Sequence, residues 1–367
     1  MVAMGGCFGG GVRQTGWVEG QICIRKADAD LDEIEIDPIH RKLVIVDDPV
    51  DTPPPGTYWL EGAKVKVEGI SRVDTTDRNG YFRLDNIPVG TNRLIISHPE
   101  FKDYTTESFT VFANQPSRVQ EQIYGVGYYV IIGVQNWDPT FRDSFTKLDD
   151  LQGPHNDITY IQDWLALDDY NSLKTFLGVL MYDPDADDVL AEVANLAGRL
   201  RDRDYLVIYF SGHSVRDPYY GDGLVCYDRI LTDGELCDAL TGARSTDITL
   251  ILDGCFTGSF ADGNATWPKA FLRTPYSVLA AADEDSFAFE VKTEGYGSIG
   301  RFTKHLVESL RTRKADRNSD GKVTVSEIYA AIEKDIFTAT QSDTGEPQRI
   351  FKKIGWHDPI IFKYWPQ

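Results

Sequence analysis

Two residues able to carry out acyl transfer stand at matching places in the sequence. The apolar run Tyr205-Leu206-Val207-Ile208-Tyr209-Phe210 leads into Ser211-Gly212-His213-Ser214, and Ile248-Thr249-Leu250-Ile251-Leu252 leads into Asp253-Gly254-Cys255-Phe256-Thr257-Gly258. A free thiol is only slightly ionised at neutral pH; an imidazole within reach can take its proton and later give it to a leaving amine. Ligands of an open α/β sheet bind beyond the carboxyl ends of its strands. If the two runs are neighbouring strands, His213 and Cys255 meet there. Residue type alone favours an ordinary buried thiol and an ordinary loop histidine, and only their shared position at strand exits turns the balance toward the chemistry. Gly254 and Gly258 are expected to keep side chains off the nucleophile turn, leaving the Cys255 amide to face a substrate oxyanion, with the Ser214 amide as a second donor.

A different chemistry is written between Asp316 and Glu327. Asp316, Asn318, Asp320 and Thr324 occupy positions 1, 3, 5 and 9 of a twelve-position calcium loop, with Gly321 at 6, the Lys322 carbonyl at 7 and Glu327 at 12. The same letters also read as a turn at Asp320-Gly321 followed by a Thr324-x-x-Glu327 capping box.

The elements that must hold these residues fall into two parts, as a chain of 367 residues leads one to expect. Residues 1–18 form a Gly-rich tail and residues 19–124 read as all-β. There Ala63-Lys64-Val65-Lys66-Val67 alternates with period two, and Tyr81-Phe82-Arg83-Leu84 and Arg93-Leu94-Ile95-Ile96 follow turn signals. Asn79-Gly80 is expected to make a tight hairpin in a small antiparallel sandwich, with acidic, Pro-rich Asp37 to Pro55 as an inserted loop. Residues 127–367 read as α/β: short apolar runs, including Tyr128-Tyr129-Val130-Ile131-Ile132 and Ser277-Val278-Leu279-Ala280, separated by helical patterns such as Val189-Val193-Leu196-Leu200. Continuous apolar strands imply a mostly parallel sheet with helices on both faces.

A formal net charge of −20 repels phosphate backbones and anionic lipid, which argues against nucleic-acid or membrane-surface partners and for cationic peptides or metal ions. Five scattered cysteines do not make a disulfide scaffold or a zinc site, and one reactive thiol is the simplest reading. No run of eighteen apolar residues is present and no complete signal peptide precedes Cys7. Met4-Gly5-Gly6-Cys7 followed by Gly9-Gly10-Gly11 nevertheless resembles the cleavage end and tether of a bacterial lipoprotein, implying a lipid anchor at Cys7 and an extracytoplasmic or cell-surface location; a plain Gly-rich terminus reads equally well.

Two family resemblances follow. Thr76-Asp77-Arg78-Asn79-Gly80-Tyr81-Phe82 with Ile87-Pro88-Val89-Gly90 resembles the carboxypeptidase regulatory-like, transthyretin-like β-sandwich, which implies an accessory module without chemistry of its own. Tyr209 to Ser214 and Leu252 to Ser259 resemble the histidine and cysteine motifs of the caspase and metacaspase clan. Gly153-Pro154-His155-Asn156-Asp157 resembles its Asn-Asp motif, and Gly300-Arg301-Phe302-Thr303 its late Gly-x-Phe-Thr motif. His213 precedes Cys255 by forty-two positions, near the ~50 of caspases, but the caspase Gln-Ala-Cys signature is missing, which argues against aspartate specificity.

The metacaspase resemblance implies a caspase-like open sheet and a cysteine endopeptidase with an acidic S1 pocket made by Asp157 and Asp253, selecting Arg or Lys at P1. A helix cap for Asp157 and a strand-end turn for Asp253 are the structural alternatives. It also implies a regulatory calcium site at Asp228, Asp233 and Asp262; the sequence does not decide whether activation requires self-cleavage around Lys269 or Arg273. Two other functions remain open: a catalytically silent scaffold, and a clan relative that cuts after Asn or Asp.

Overall fold

The computed structural model describes residues 14–25, 52–53, 57–106, 108–123, 127–142, 148, 150–166, 170–173, 175–201, 204–217, 221–262, 269–295 and 297–365. Cys7 and nearly all of the segment from Asp37 to Pro55 lie outside the described residues. The chain divides into two compact units, to Ile123 and from Tyr124, with Pro99–Phe101 grouped with the second.

Among its described residues the first unit is a β-sandwich of ten strands: β1 (Thr15–Arg25), β2 (Thr57–Trp59), β3 (Lys64–Val67), β4 (Val73–Thr75), β5 (Tyr81–Pro88), β6 (Gly90–Asn92), β7 (Leu94–His98), β8 (Phe101–Thr105), β9 (Phe109–Val111) and β10 (Pro116–Ile123). β3 buries Val65 and Val67 and exposes Lys64 and Lys66, the alternation its sequence carries. Two expectations need correction. The sandwich is not purely antiparallel, because β1 pairs with β10 in parallel. First and last strands joined through the whole intervening chain are free of the hairpin constraint that forces antiparallel neighbours. The Asn79-Gly80 turn is not a hairpin: it leads from β4, in the sheet β4-β3-β7-β8, to β5, which pairs with β1 in the other sheet. Asp77 organises it, its carboxylate accepting from the amides of Asn79 (2.8 Å) and Tyr81 (3.0 Å).

The second unit opens with β11 (Gly127–Gly133), followed by the short helix α1 (Pro139–Arg142), α2 (Pro154–Ile161), β12 (Thr175–Tyr182), α3 (Ala186–Arg199) and β13 (Tyr205–Ser211). Then come β14 (Ser214–Asp217), β15 (Gly221–Val225), β16 (Ile230–Thr232), α4 (Asp233–Ala239), β17 (Ile248–Asp253) and β18 (Ser277–Ala280). The chain continues through β19 (Glu290–Thr293), β20 (Gly297–Gly300), α5 (Arg301–Arg311), β21 (Lys322–Thr324), α6 (Val325–Thr344), β22 (Phe351–Lys353) and β23 (Ile360–Lys363).

Its central sheet has the order β12-β11-β13-β17-β18-β22, parallel up to β18 and closed by antiparallel β22. Every residue of β11, β13, β17 and β18 is buried, as continuous apolar runs demand of a sheet covered on both faces. Tyr129, Ile131, Val207, Tyr209, Ile251 and Leu279 share one core with residues of α2, α5 and α6. Helix α3 packs on β11 with Val189, Val193 and Leu196 buried and outside that core, as the opposite face requires. The loop after β17 is anchored by Lys269, whose ammonium is almost fully buried against the Asp222 carboxylate of β15. Among the described residues no helix is long and apolar enough to cross a membrane.

Candidate active site

β13 and β17 are adjacent and parallel, with Ser211 paired to Asp253, and the Gly212 amide donates to the Asp253 carbonyl (3.1 Å). Two residues beyond that pair, His213 and Cys255 line one cleft of about 340 Å³, together with Asp157, Ser214, Phe287 and Glu290. The His213 carbonyl accepts from the Val225 amide (2.9 Å), and its ring meets that of Trp137 edge-on at 5.1 Å. The Ser214 hydroxyl donates to the Cys255 carbonyl, joining the histidine loop to the cysteine loop. Gly254 is required by this closeness: a Cβ there would stand 2.8 Å from both the Gly212 carbonyl oxygen and Ser214 Oγ. Gly258 serves a different purpose from the one its sequence position suggested, since its Cβ would collide with Ala282 and Asp283 beyond β18.

Cys255 is partly buried, its Sγ 3.8 Å from the Ala288 carbonyl oxygen. Burial, and then the charge of Asp253, push the thiol above its ordinary pKa, so the resting group is neutral and needs a base. Phe256 follows with φ of 60°, a left-handed conformation uncommon for a bulky side chain. The Phe256 amide donates to the Ser286 carbonyl (3.0 Å) and its ring packs on Phe287, centroids 5.0 Å apart. Arg216 of β14 ties the same segment down, donating to the Glu284 carbonyl (3.1 Å) and the Asp285 carboxylate (2.9 Å).

The buried part of the cleft is acidic. Asp157 is 1% exposed and lies within the first turn of α2, where Gly153, not Asp157, is the cap. Its carboxylate accepts from Ser211 Oγ (2.7 Å) and from the Gly300 amide (2.8 Å). Asp253 is 5% exposed, with Oδ2 accepting from both Oγ1 (2.6 Å) and the amide (3.1 Å) of Thr303. Burial pushes both carboxyls up, Asp157 well above its usual range with the charge of Asp253 adding to the effect, and Asp253 to about 6. The charge of Glu290 raises both further.

Glu290 is a member of this group that the sequence did not single out. Its carboxylate accepts from the amides of Gln152 (3.0 Å) and Gly153 (2.6 Å) and from Ser298 Oγ (2.9 Å), drawing the start of α2 and the β19–β20 hairpin together at the cleft. Nothing in its local sequence distinguishes it from Asp283, Glu284, Asp285 or Glu294 nearby. The described lining thus carries three carboxylates, one imidazole, and no Lys or Arg.

The carboxylates of the candidate calcium residues accept hydrogen bonds from nearby backbone amides. Asp316 accepts from the amides of Asp320 (3.0 Å) and Gly321 (3.1 Å), and Asp320 from the amide of Lys322 (2.8 Å). Asn318 accepts from the Asp320 amide (2.9 Å), while Glu327 closes a reciprocal capping box with Thr324 at the start of α6. Asp228 accepts from the Ala186 amide (2.8 Å) and Asp233 from the Ala270 amide (3.0 Å). Neither they nor Asp262 gather, and among the described residues no three His, Cys, Asp or Glu side chains are arranged to hold a metal ion. Asp316, Asp320, Asp228 and Asp233 are each engaged with a backbone amide.

The fold and this cleft define a mixed α/β unit with a mostly parallel central sheet, preceded in the chain by a small β-sandwich module. Residues 53–123 match the family model of the carboxypeptidase regulatory-like domain. Among solved structures, the chain is similar to a protein from Geobacter sulfurreducens at 16% identity and TM-score 0.44, covering 66% of this chain and 98% of that one. It is also similar to caspase-1 from Spodoptera frugiperda at 11% identity and TM-score 0.45, covering 66% of this chain and 91% of that one. No curated protein sequence matches the chain.

Proposed function

We propose that the α/β unit is a cysteine endopeptidase of the caspase and metacaspase type that cleaves peptide bonds after Arg or Lys. The observation carrying this reading is the buried pair Asp157 and Asp253, with Glu290 beside them, in the cleft that Cys255 and His213 line. Buried carboxylates facing no basic side chain in the lining are stabilised by a cation brought from outside, and a guanidinium or ammonium supplies it with charge-assisted hydrogen bonds. An Asn or Asp side chain brings no such compensation.

In this reading His213 takes the thiol proton as Cys255 Sγ attacks the carbonyl carbon of the basic residue. The amides of Cys255 and Ser214 receive the oxyanion. His213 then protonates the leaving amine as the C–N bond breaks, and the thioester is hydrolysed by water from which His213 removes a proton. Calcium enters no step.

Hydrolysis of short fluorogenic peptides differing in P1 among Arg, Lys, Asn and Asp tests the reading, with wild type, Cys255→Ala and Asp253→Asn. Cleavage after Arg or Lys that is lost in Cys255→Ala and strongly weakened in Asp253→Asn is expected. A silent scaffold is the second reading, favoured by the contact of the Cys255 thiol with the Ala288 carbonyl. Wild-type protein that neither cleaves any peptide nor reacts with a thiol alkylator would establish that reading instead.

A further inference from the structure

Helix α5 begins without a cap of its own. Gly300, its N-cap, has no side chain to offer, and the N3 amide of Thr303 is satisfied by Asp253 Oδ2 from strand β17. The amide of Gly300 goes to Asp157, so the first turn of α5 shares its free donors between the two buried carboxylates. Only glycine fits at the hinge: a Cβ on residue 300 would lie 2.1 Å from Asp253 Oδ2 and 3.1 Å from Asp157 Oδ2. Thr303 adds its hydroxyl to the same Oδ2, 2.6 Å away. That hydroxyl has one proton and gives it to the carboxylate, so the adjacent Tyr209 phenol must donate to Thr303. Tyr209, Thr303 and Asp253 therefore form a directed chain ending on the acidic floor of the cleft.

We propose that Thr303 is a positioning residue for P1 recognition: with the Tyr209 phenol behind it, its hydroxyl fixes Asp253 Oδ2 and favours the charged carboxylate that receives the basic side chain. The proposal rests on the reading of the cleft as a pocket for Arg or Lys. Two carboxylates surround the Asp253 group: Glu290 from β19 opposes its charge, and Asp253 in turn opposes the charge of Asp157 from α2. His213 and Cys255 line the same cleft, Tyr209 approaches from β13, and Arg301 of α5 is directed to Asp343 (2.8 Å). The Thr303 hydroxyl and amide are the groups that act in the opposite sense, lowering the Asp253 pKa. The Gly300-Arg301-Phe302-Thr303 segment thereby acquires a physical role, Gly300 giving room, Phe302 filling the core and Thr303 holding the charge.

The test compares Thr303→Val, which keeps the shape and loses the hydroxyl, with Thr303→Ser, which keeps the hydroxyl. Full-length protein is assayed with an Arg-P1 fluorogenic peptide from pH 5 to 8, and thermal midpoints are recorded over the same range without substrate. Thr303→Val is expected to move the acidic limb of kcat/KM up by about one pH unit, raising KM roughly fivefold near pH 6 and leaving kcat within about twofold, while Thr303→Ser follows wild type. Its thermal midpoint should also fall more steeply between pH 5 and 7, because a raised Asp253 pKa binds more protons in the folded state. An unchanged acidic limb in folded Thr303→Val, or Thr303→Ser as impaired as Thr303→Val, overturns the proposal. Should the unpaired Tyr209 hydroxyl prevent folding, Tyr209→Phe/Thr303→Val takes its place. If wild type cleaves no basic peptide, the peptidase reading fails and the thermal profiles alone decide whether Thr303 controls the charge.

Discussion

Ser211 and Asp253 sit side by side on adjacent parallel strands, and two residues further along each strand's exit stand His213 and Cys255. The register of the sheet thus fixes a histidine and a cysteine at equal heights above its carboxyl edge. The Ser211 side chain in turn holds Asp157 (2.7 Å), so the pairing that sets the dyad also sets the acidic floor.

The resting thiol is neutral because of its burial and the charge of Asp253. Iodoacetamide modification of Cys255, followed by peptide mass spectrometry, is therefore expected to be slow at pH 7 and to rise with pH beyond the range of an ordinary thiol. Asp253→Asn removes a negative neighbour and should move that profile to lower pH. An unshifted profile would separate Cys255 from Asp253 electrostatically.

Asp253 titrates near 6 in the folded protein, above the ~3.9 of an unfolded aspartate. Two consequences of opposite sign follow. Binding of a basic P1 side chain needs the ionised form, so kcat/KM for Arg peptides should fall as pH drops from 7 to 5. Folding takes up a proton in this interval, so the stability owed to this group is fully present below ~3.9 and is lost as pH rises through about 6, on the order of 3 kcal/mol. Asp253→Asn should flatten both dependences, as pH–rate profiles and thermal melts would record.

Glu290→Gln keeps the shape of a side chain that gathers two backbone amides and a hydroxyl. Loss of its charge is expected to raise KM for Arg-P1 peptides by roughly tenfold, about 1.4 kcal/mol, with little change in kcat. A fall confined to kcat would assign Glu290 to the reacting groups instead.

Glu327 is engaged in the capping box with Thr324. Glu327→Ala is expected to cost about 1 kcal/mol of stability, equally in calcium and in chelator, by denaturant titration. A loss that appears only with calcium would make Glu327 a metal ligand.

Much of this arrangement was legible because apolar strands declare themselves. β11, β13, β17 and β18 are buried at every position, and their runs were plain in the sequence. β12 was harder to read: it is the edge strand, and Gly178, Val179 and Leu180 are not fully buried, so its pattern carries less apolar signal. Asp157 and Asp253 could be named only from what the resemblance of their motifs implies. Glu290 could not, because its place is decided by a hairpin and a helix start 137 positions away that meet only in three dimensions. The Asn79-Gly80 turn misled for a related reason, since a local turn signal does not say whether the strands it joins share a sheet.

The Lys269 ammonium is walled in against Asp222, whereas Arg273, four residues on, stands exposed. If the proposed peptidase acts on copies of its own chain, it meets Arg273 directly and reaches Lys269, locked in its ion pair with Asp222, only when the surrounding segment opens. Its scission would then run at the pace of local breathing and not of enzyme encounter. Under the proposed function, self-cleavage after Arg273 is therefore expected to precede self-cleavage after Lys269.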